Sequence, residues 1–145
     1  MTSVNSLLSA MGGASAIRNL VDGWYRRVLA DPILVPLFGA GDPHHVEHLT
    51  AFLIEVFGGE ARYTKEFGGF PGLLAAHRGL AIQDHQRRRF IELFLDEYDR
   101  QEVSDAATRD RFAGYLDFGT EVAVVNSHAS TGAELHPCQE VPRWR

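Results

Sequence analysis

The side chain with the clearest chemical potential is His77, which lies in the apolar stretch of residues 73–82. A neutral imidazole nitrogen on a short apolar helix suits an axial ligand to a haem iron. Tyr25, beside Trp24 on an earlier predicted helix, would supply a phenol to the opposite side of the same pocket. A lone histidine is more often a half-buried side chain whose nitrogens bind backbone groups. The hypothesis for His77 therefore depends on whether the rest of the chain builds a pocket.

A second group of histidines lies in residues 44–48. His44 and His48 are four residues apart on one predicted helix face, a spacing that can bind zinc. No third ligand is evident in the sequence nearby, so a surface histidine pair is the simpler interpretation. His45 shares a face with Leu49 and Phe52, which fits the wall of a pocket better than a zinc site. A helical metal-binding or interaction module that uses His44 and His48 stays open as an alternative of another class.

The bulk composition excludes several classes of partner. A chain of 145 residues, 45% hydrophobic and 23% charged, is typical of one soluble globular domain. A net charge of -5 argues against binding to nucleic acid or to an anionic membrane. No apolar run approaches the ~20 residues that span a bilayer, and the first residues lack the basic region of a secretory signal. We therefore expect a cytoplasmic protein with no nucleic-acid or membrane partner.

Hydrophobic periodicity predicts an all-α fold. Apolar residues recur at spacings of three and four in four segments, a pattern typical of amphipathic helices. These segments are residues 17–28, 45–56, 90–97 and 112–123. Glycine pairs and Asp-Pro pairs, which end and begin helices, separate the first two segments from their neighbours.

The remaining segments are predicted from their breaks in periodicity. Residues 60–72 carry four glycines and prolines near their end, so we expect them to be mostly loop before a short helix at 73–77. The periodicity stops after Ser127. These observations predict one domain over residues 1–128 and an extended tail over residues 129–145.

The order of these features closely resembles the truncated haemoglobins, and group II of that family most of all. The resemblance covers roughly residues 8–128. It rests on the sequence of motifs Trp24-Tyr25, Asp31-Pro32, Phe38, the helix from His45 to Val56, Gly58-Gly59, Gly69, Pro71, His77 and Ile82. Residues 29–31 and 76–78 are also similar to group I. The resemblance implies a two-over-two helical sandwich around haem b.

The resemblance also implies roles for individual residues. His77 matches the proximal iron ligand, and Tyr25 matches the distal tyrosine that donates a hydrogen bond to the ligand on the iron. His45 matches a distal-helix position that faces the iron. The side chains expected to contact the haem, besides His77, are Phe38, His48, Leu49, Phe52, Leu73, Ile82 and Phe90.

Two departures from the group II pattern affect the expected chemistry. Phe90 replaces a tryptophan, so the hydrogen bond from an indole N–H is missing. Ala76 replaces a basic residue that contacts a haem propionate, a contact that His48 or Arg78 could replace.

The function that the resemblance implies is the binding of O2, CO or NO at the haem iron. That binding would serve oxygen binding or transport, or redox chemistry on NO or peroxide. The chain carries no flavin or nicotinamide fingerprint, so NO dioxygenase or peroxidase turnover would require an external reductase. We expect a monomer or a homodimer.

Overall fold

The computed structural model describes residues 6–77, 79–101, 105–128 and 141–144, and all regular structure within these ranges is α-helical. None of the helices in the described ranges is both long enough and apolar enough to cross a bilayer. The helices are α1 (Leu7–Ala10), α2 (Ala14–Leu29), α3 (Val35–Phe38), α4 (Pro43–Val56), α5 (Arg62–Glu66), α6 (Gly69–His77), α7 (Asp84–Gln101) and α8 (Ala106–Ser127).

Helix α2 is the centre of the core. It packs against α4 on one side and α7 on another, while α8 packs against α7 and α6. Trp24 of α2 is stacked on Phe94 of α7, with ring centroids 4.3 Å apart and an interplanar angle of 12°. The pairs α2–α4 and α7–α8 form the expected two-over-two arrangement. All six periodic residues of α2 are buried, namely Ile17, Leu20, Val21, Trp24, Tyr25 and Val28.

Aspartate side chains begin helices α4 and α8. Asp42 accepts a hydrogen bond from the backbone N–H of His44 at 2.8 Å, with Pro43 in the first turn of α4. Asp105 accepts one from the N–H of Thr108 at 2.9 Å and caps α8. Both caps satisfy backbone donors that have no partner inside the helix.

Asp31 caps a turn and ties it to α7. Its Oδ1 accepts from the N–H of Ile33 at 2.8 Å, and its Oδ2 accepts from Nε of Arg89 at 2.6 Å. Burial raises the pKa of Asp31, but the hydrogen bonds from Arg89 and from backbone N–H groups, together with the charge of Arg89, outweigh burial, and the net pKa is lowered. Helix α3 begins only at Val35, so Asp31-Pro32 opens a turn before the helix.

The prediction that residues 60–72 are mostly loop was wrong. They contain α5 and the first turn of α6, which begins at Gly69. Glu55 of α4 holds α5 in place, because its carboxylate is buried and accepts from both the N–H and the hydroxyl of Thr64. Pro71 falls in the first turn of α6, where the helix makes no use of the backbone N–H that proline lacks. The stabilising contact comes from a neighbouring helix, so local composition does not reveal it.

The last described residues lie on the body of the protein. The backbone N–H of Trp144 donates to the carbonyl of Val56 at 2.8 Å, and its indole N–H donates to the carbonyl of Arg111 at 2.9 Å. Its ring is stacked on Phe118 at 5.5 Å. Residues 141–144 have no regular secondary structure, and residues 129–140 of the predicted tail lie outside the described ranges.

We expect Glu55→Ala to lower the free energy of unfolding by about 2 kcal/mol, because two hydrogen-bond donors of Thr64 lose a carboxylate partner. Denaturant unfolding followed by far-ultraviolet circular dichroism measures this loss. Glu60→Ala is the matched control, since Glu60 is exposed and its loss should change stability by less than about 0.5 kcal/mol. Equal effects of the two substitutions would contradict the role of Glu55.

Candidate functional site

A cavity of about 390 Å³ lies among the helices and has mostly apolar walls. This volume is within the range of small-molecule and cofactor sites. The structure places all ten predicted site residues around this one cavity. They are Tyr25, Phe38, His45, His48, Leu49, Phe52, Leu73, His77, Ile82 and Phe90.

The imidazole of His77 lies at the C-terminal end of α6. One of its two nitrogens has a hydrogen-bond partner in the same helix. Nδ1 lies 2.8 Å from the backbone carbonyl of Leu73. A carbonyl oxygen only accepts, so we assign the proton to Nδ1 and the lone pair to Nε2. Burial lowers the pKa of His77, although the bond to Leu73 acts in the opposite sense. The ring is therefore a neutral imidazole with one nitrogen available as a metal ligand.

The end of α8 fixes the segment that follows His77. The carbonyl of Ser127 accepts from the N–H groups of Gly79 and Ala81, at 3.1 and 3.0 Å. Its hydroxyl accepts from the N–H of Ile82 at 2.9 Å. Ala81 has a φ of 50°, an uncommon conformation for a residue with a side chain. These bonds hold Leu80 and Ile82 at the cavity wall.

A polar pair faces the cavity from α2 and α4. The hydroxyl of Tyr25 forms a short hydrogen bond with Nδ1 of His45. The same hydroxyl accepts from the N–H of Asp42 at 3.1 Å. If Tyr25 donates to His45, the remaining donor of the pair is Nε2–H of His45. If His45 donates instead, the remaining donor is the hydroxyl of Tyr25. In either arrangement the pair has a single donor left to offer a ligand.

Aromatic rings hold this polar pair in position. Phe38 makes edge-to-face contacts with Trp24, Tyr25 and His45, with centroids 5.8 to 5.9 Å apart. Phe90 contacts Trp24 at 4.8 Å, and the Trp24 indole N–H donates to the backbone carbonyl of Phe90 at 3.4 Å. That indole donor is consequently occupied by a backbone carbonyl.

Tyr63 and Arg87 also line the cavity, although the sequence does not place them there. Tyr63 lies on α5, where the sequence favours a loop. Arg87 belongs to a run of three arginines that is most simply a solvated helix face, yet it lines the cavity. Its guanidinium donates to the Thr120 hydroxyl at 2.9 Å and to the Asp117 carboxylate at 2.8 Å. Contacts with α8 turn Arg87 inward, and no spacing rule within α7 reveals them.

Tyr115 also lines the cavity from α8. Its periodic position in the sequence indicates a buried residue, and burial raises the pKa of its phenol. Gly119 allows this ring to lie against the helix, because a Cβ at Gly119 would be 2.9 Å from the Tyr115 hydroxyl.

Known proteins resemble this chain along most of its length. The family described as bacterial-like globin matches residues 6–123. The group 1 truncated hemoglobin GlbN of Nostoc commune is 35% identical over 81 residues, which are 55% of this chain and 64% of that protein. The group 2 truncated hemoglobin YjbI of Bacillus subtilis is 30% identical over 87 residues, which are 60% of this chain and 65% of that protein. The chain thus spans slightly less than two thirds of the length of these relatives.

The fold is also similar to a solved structure. The group II truncated haemoglobin of Bacillus anthracis superposes with a TM-score of 0.75 at 27% sequence identity. The superposition covers 88% of this chain and 95% of that protein. The chain is therefore similar in sequence to both a group 1 and a group 2 truncated hemoglobin. Its backbone is similar to that of a group II structure.

Proposed function

Because this chain belongs to the bacterial-like globin family as a truncated haemoglobin, we propose that its cavity binds haem b with His77 as the iron ligand. The observation that carries the proposal is the hydrogen bond from Nδ1 of His77 to the Leu73 carbonyl. This bond leaves the lone pair of Nε2 available to a metal ion. A bound haem would supply an iron centre that takes O2, CO or NO and can change its oxidation state.

The residues present fit such a group. A flat, mostly apolar cofactor needs aliphatic and aromatic walls, and Leu49, Phe52 and Leu73 provide them. Its carboxylates need polar or cationic partners near the wall. Arg87 and His48 are the candidates among the lining residues, and either would compensate for the absence of a basic side chain at Ala76.

The role proposed for Tyr25 and His45 is to hold a diatomic ligand by one hydrogen bond. A ligand that carries partial negative charge is stabilised by an O–H or N–H donor in an apolar cavity, where the interaction is stronger than in water. Asp42 fixes the Tyr25 hydroxyl through its backbone N–H, so the donor is positioned before a ligand arrives. Phe90 contributes no donor, so this pair carries the polar recognition.

Reversible binding of O2, CO or NO would need only the haem and the residues of this site. NO dioxygenase or peroxidase chemistry would also need electrons, and the chain has no flavin or nicotinamide fingerprint. For such turnover we propose an external reductase as the partner.

The first test is hemin uptake by wild-type protein and by His77→Gly. The wild type should take up hemin and show an intense Soret band that shifts on reduction and addition of CO. His77→Gly should lose at least about tenfold in hemin affinity, because it lacks the ligand atom. Added imidazole should restore the band by occupying the space of the lost ring.

The control for this test is His85→Ala, which removes an exposed histidine of α7 and should leave hemin uptake unchanged. A His77→Gly protein that keeps the wild-type spectrum of the reduced CO form without imidazole would refute the proposed ligand.

The second test concerns oxygen dissociation from the haem-loaded protein, measured by stopped flow. Tyr25→Phe should raise the dissociation rate about five- to tenfold, because an ordinary hydrogen bond contributes about 1 kcal/mol. The substitution removes either the donor itself or the hydroxyl that orients the donor of His45. CO dissociation should change much less, since bound CO carries little negative charge.

The double variant Tyr25→Phe/His45→Leu separates a shared donor from two independent donors. If the pair presents one donor, the double variant should dissociate oxygen little faster than the faster single variant. If the rate increases of the two single variants multiply in the double variant, each side chain forms its own hydrogen bond to the ligand. An unchanged rate in Tyr25→Phe would refute the role of Tyr25.

A further inference from the structure

A cluster of metal-ligating side chains lies at the start of α4, apart from His77. Ligand atoms of His44, Glu47 and His48 all lie within 4.8 Å of one another. In a tetrahedral zinc site with bonds of about 2.0–2.2 Å, ligand atoms are about 3.5 Å apart. Side-chain rotations that move each atom by about 1 Å would therefore bring these three around one ion.

Each of the three side chains is oriented by its surroundings. His44 Nδ1 faces one oxygen of Glu47 at 3.7 Å, while the other oxygen of Glu47 accepts from Nη2 of Arg62 at 3.0 Å. The ring of His48 lies against Phe67 with centroids 4.2 Å apart. One Glu47 oxygen is thus held by Arg62, and the other remains directed toward His44.

This arrangement is favourable for a metal site. Carboxylates that bind metal ions are commonly fixed by a hydrogen bond to their second oxygen, which is what Arg62 provides. Arg62 is itself held by Glu66 of α5 and lies over the Phe67 ring at 4.8 Å. The support for Glu47 therefore comes from α5, outside the helix that carries the ligands.

We propose that His44, Glu47 and His48 bind one divalent transition-metal ion, with Zn²⁺ as the best match to two imidazoles and one carboxylate. Solvent would complete the coordination, because His44 is exposed with 68% of its side-chain surface accessible. The ion would connect the first two turns of α4, the segment that also carries His45. This site does not include His77, but it shares His48 with the cavity wall. With zinc on His48, Arg87 would be the partner of the haem carboxylates.

The test is isothermal titration of Zn²⁺ into the chelator-treated full chain. We expect one ion per chain, and we expect His44→Ala to weaken binding by at least about tenfold, because a ligand is lost. Glu47→Gln should also weaken binding. Zn²⁺ should raise the melting temperature of the wild type and leave that of His44→Ala unchanged, since an ion stabilises the state that binds it.

His85→Ala is the matched control, because it removes an exposed histidine from α7 and should retain wild-type affinity. His77→Ala should likewise retain it, which distinguishes this site from zinc bound in the cavity. Absence of Zn²⁺ binding by the wild type, or full binding by His44→Ala, would overturn the proposal.

Discussion

The orientation of one imidazole within its own helix is the constraint on which the site depends. The hydrogen bond from Nδ1 of His77 to the carbonyl of Leu73, at 2.8 Å, decides which nitrogen keeps a lone pair. The Leu73 carbonyl is four residues back along α6, so the helix that carries the ring also orients it. The C-terminal serine of α8 then fixes the chain immediately beyond, through three backbone N–H groups of residues 79–82. Two helices together thus determine one side of the cavity.

The opposite side depends on a different kind of constraint. Tyr25 and His45 are polar groups among aromatic rings, where an unsatisfied hydroxyl or N–H is costly. Each satisfies the other, and the backbone of Asp42 adds a bond that anchors the hydroxyl. Because Asp42 also caps α4, the same residue starts the helix and positions the polar pair of Tyr25 and His45. Local helix formation and site geometry are therefore coupled at the start of α4.

Periodicity and helix punctuation predict the main architecture because both are local. The buried face of α2 and the cap at Asp42 follow from short-range rules, and the structure contains them. The prediction is wrong for residues 60–72, where Glu55 of another helix stabilises α5. Arg87 is likewise turned toward the cavity by contacts with α8. Such long-range contacts have no signature in the spacing of neighbouring residues.

The ten predicted site residues lie together around one cavity. Their types and their order along the chain carried the resemblance, and the fold brings all ten to one cavity. Their chemical roles are a separate matter, since a ring at a cavity wall can be a ligand or only packing. The proton positions show only which atoms of these side chains could bind a ligand. A carbonyl partner assigns the Nδ1 proton of His77, whereas the hydroxyl partner of His45 permits two proton arrangements. The structure therefore specifies which nitrogen of His77 keeps a lone pair, and ligand kinetics must identify which member of the Tyr25–His45 pair donates to a ligand.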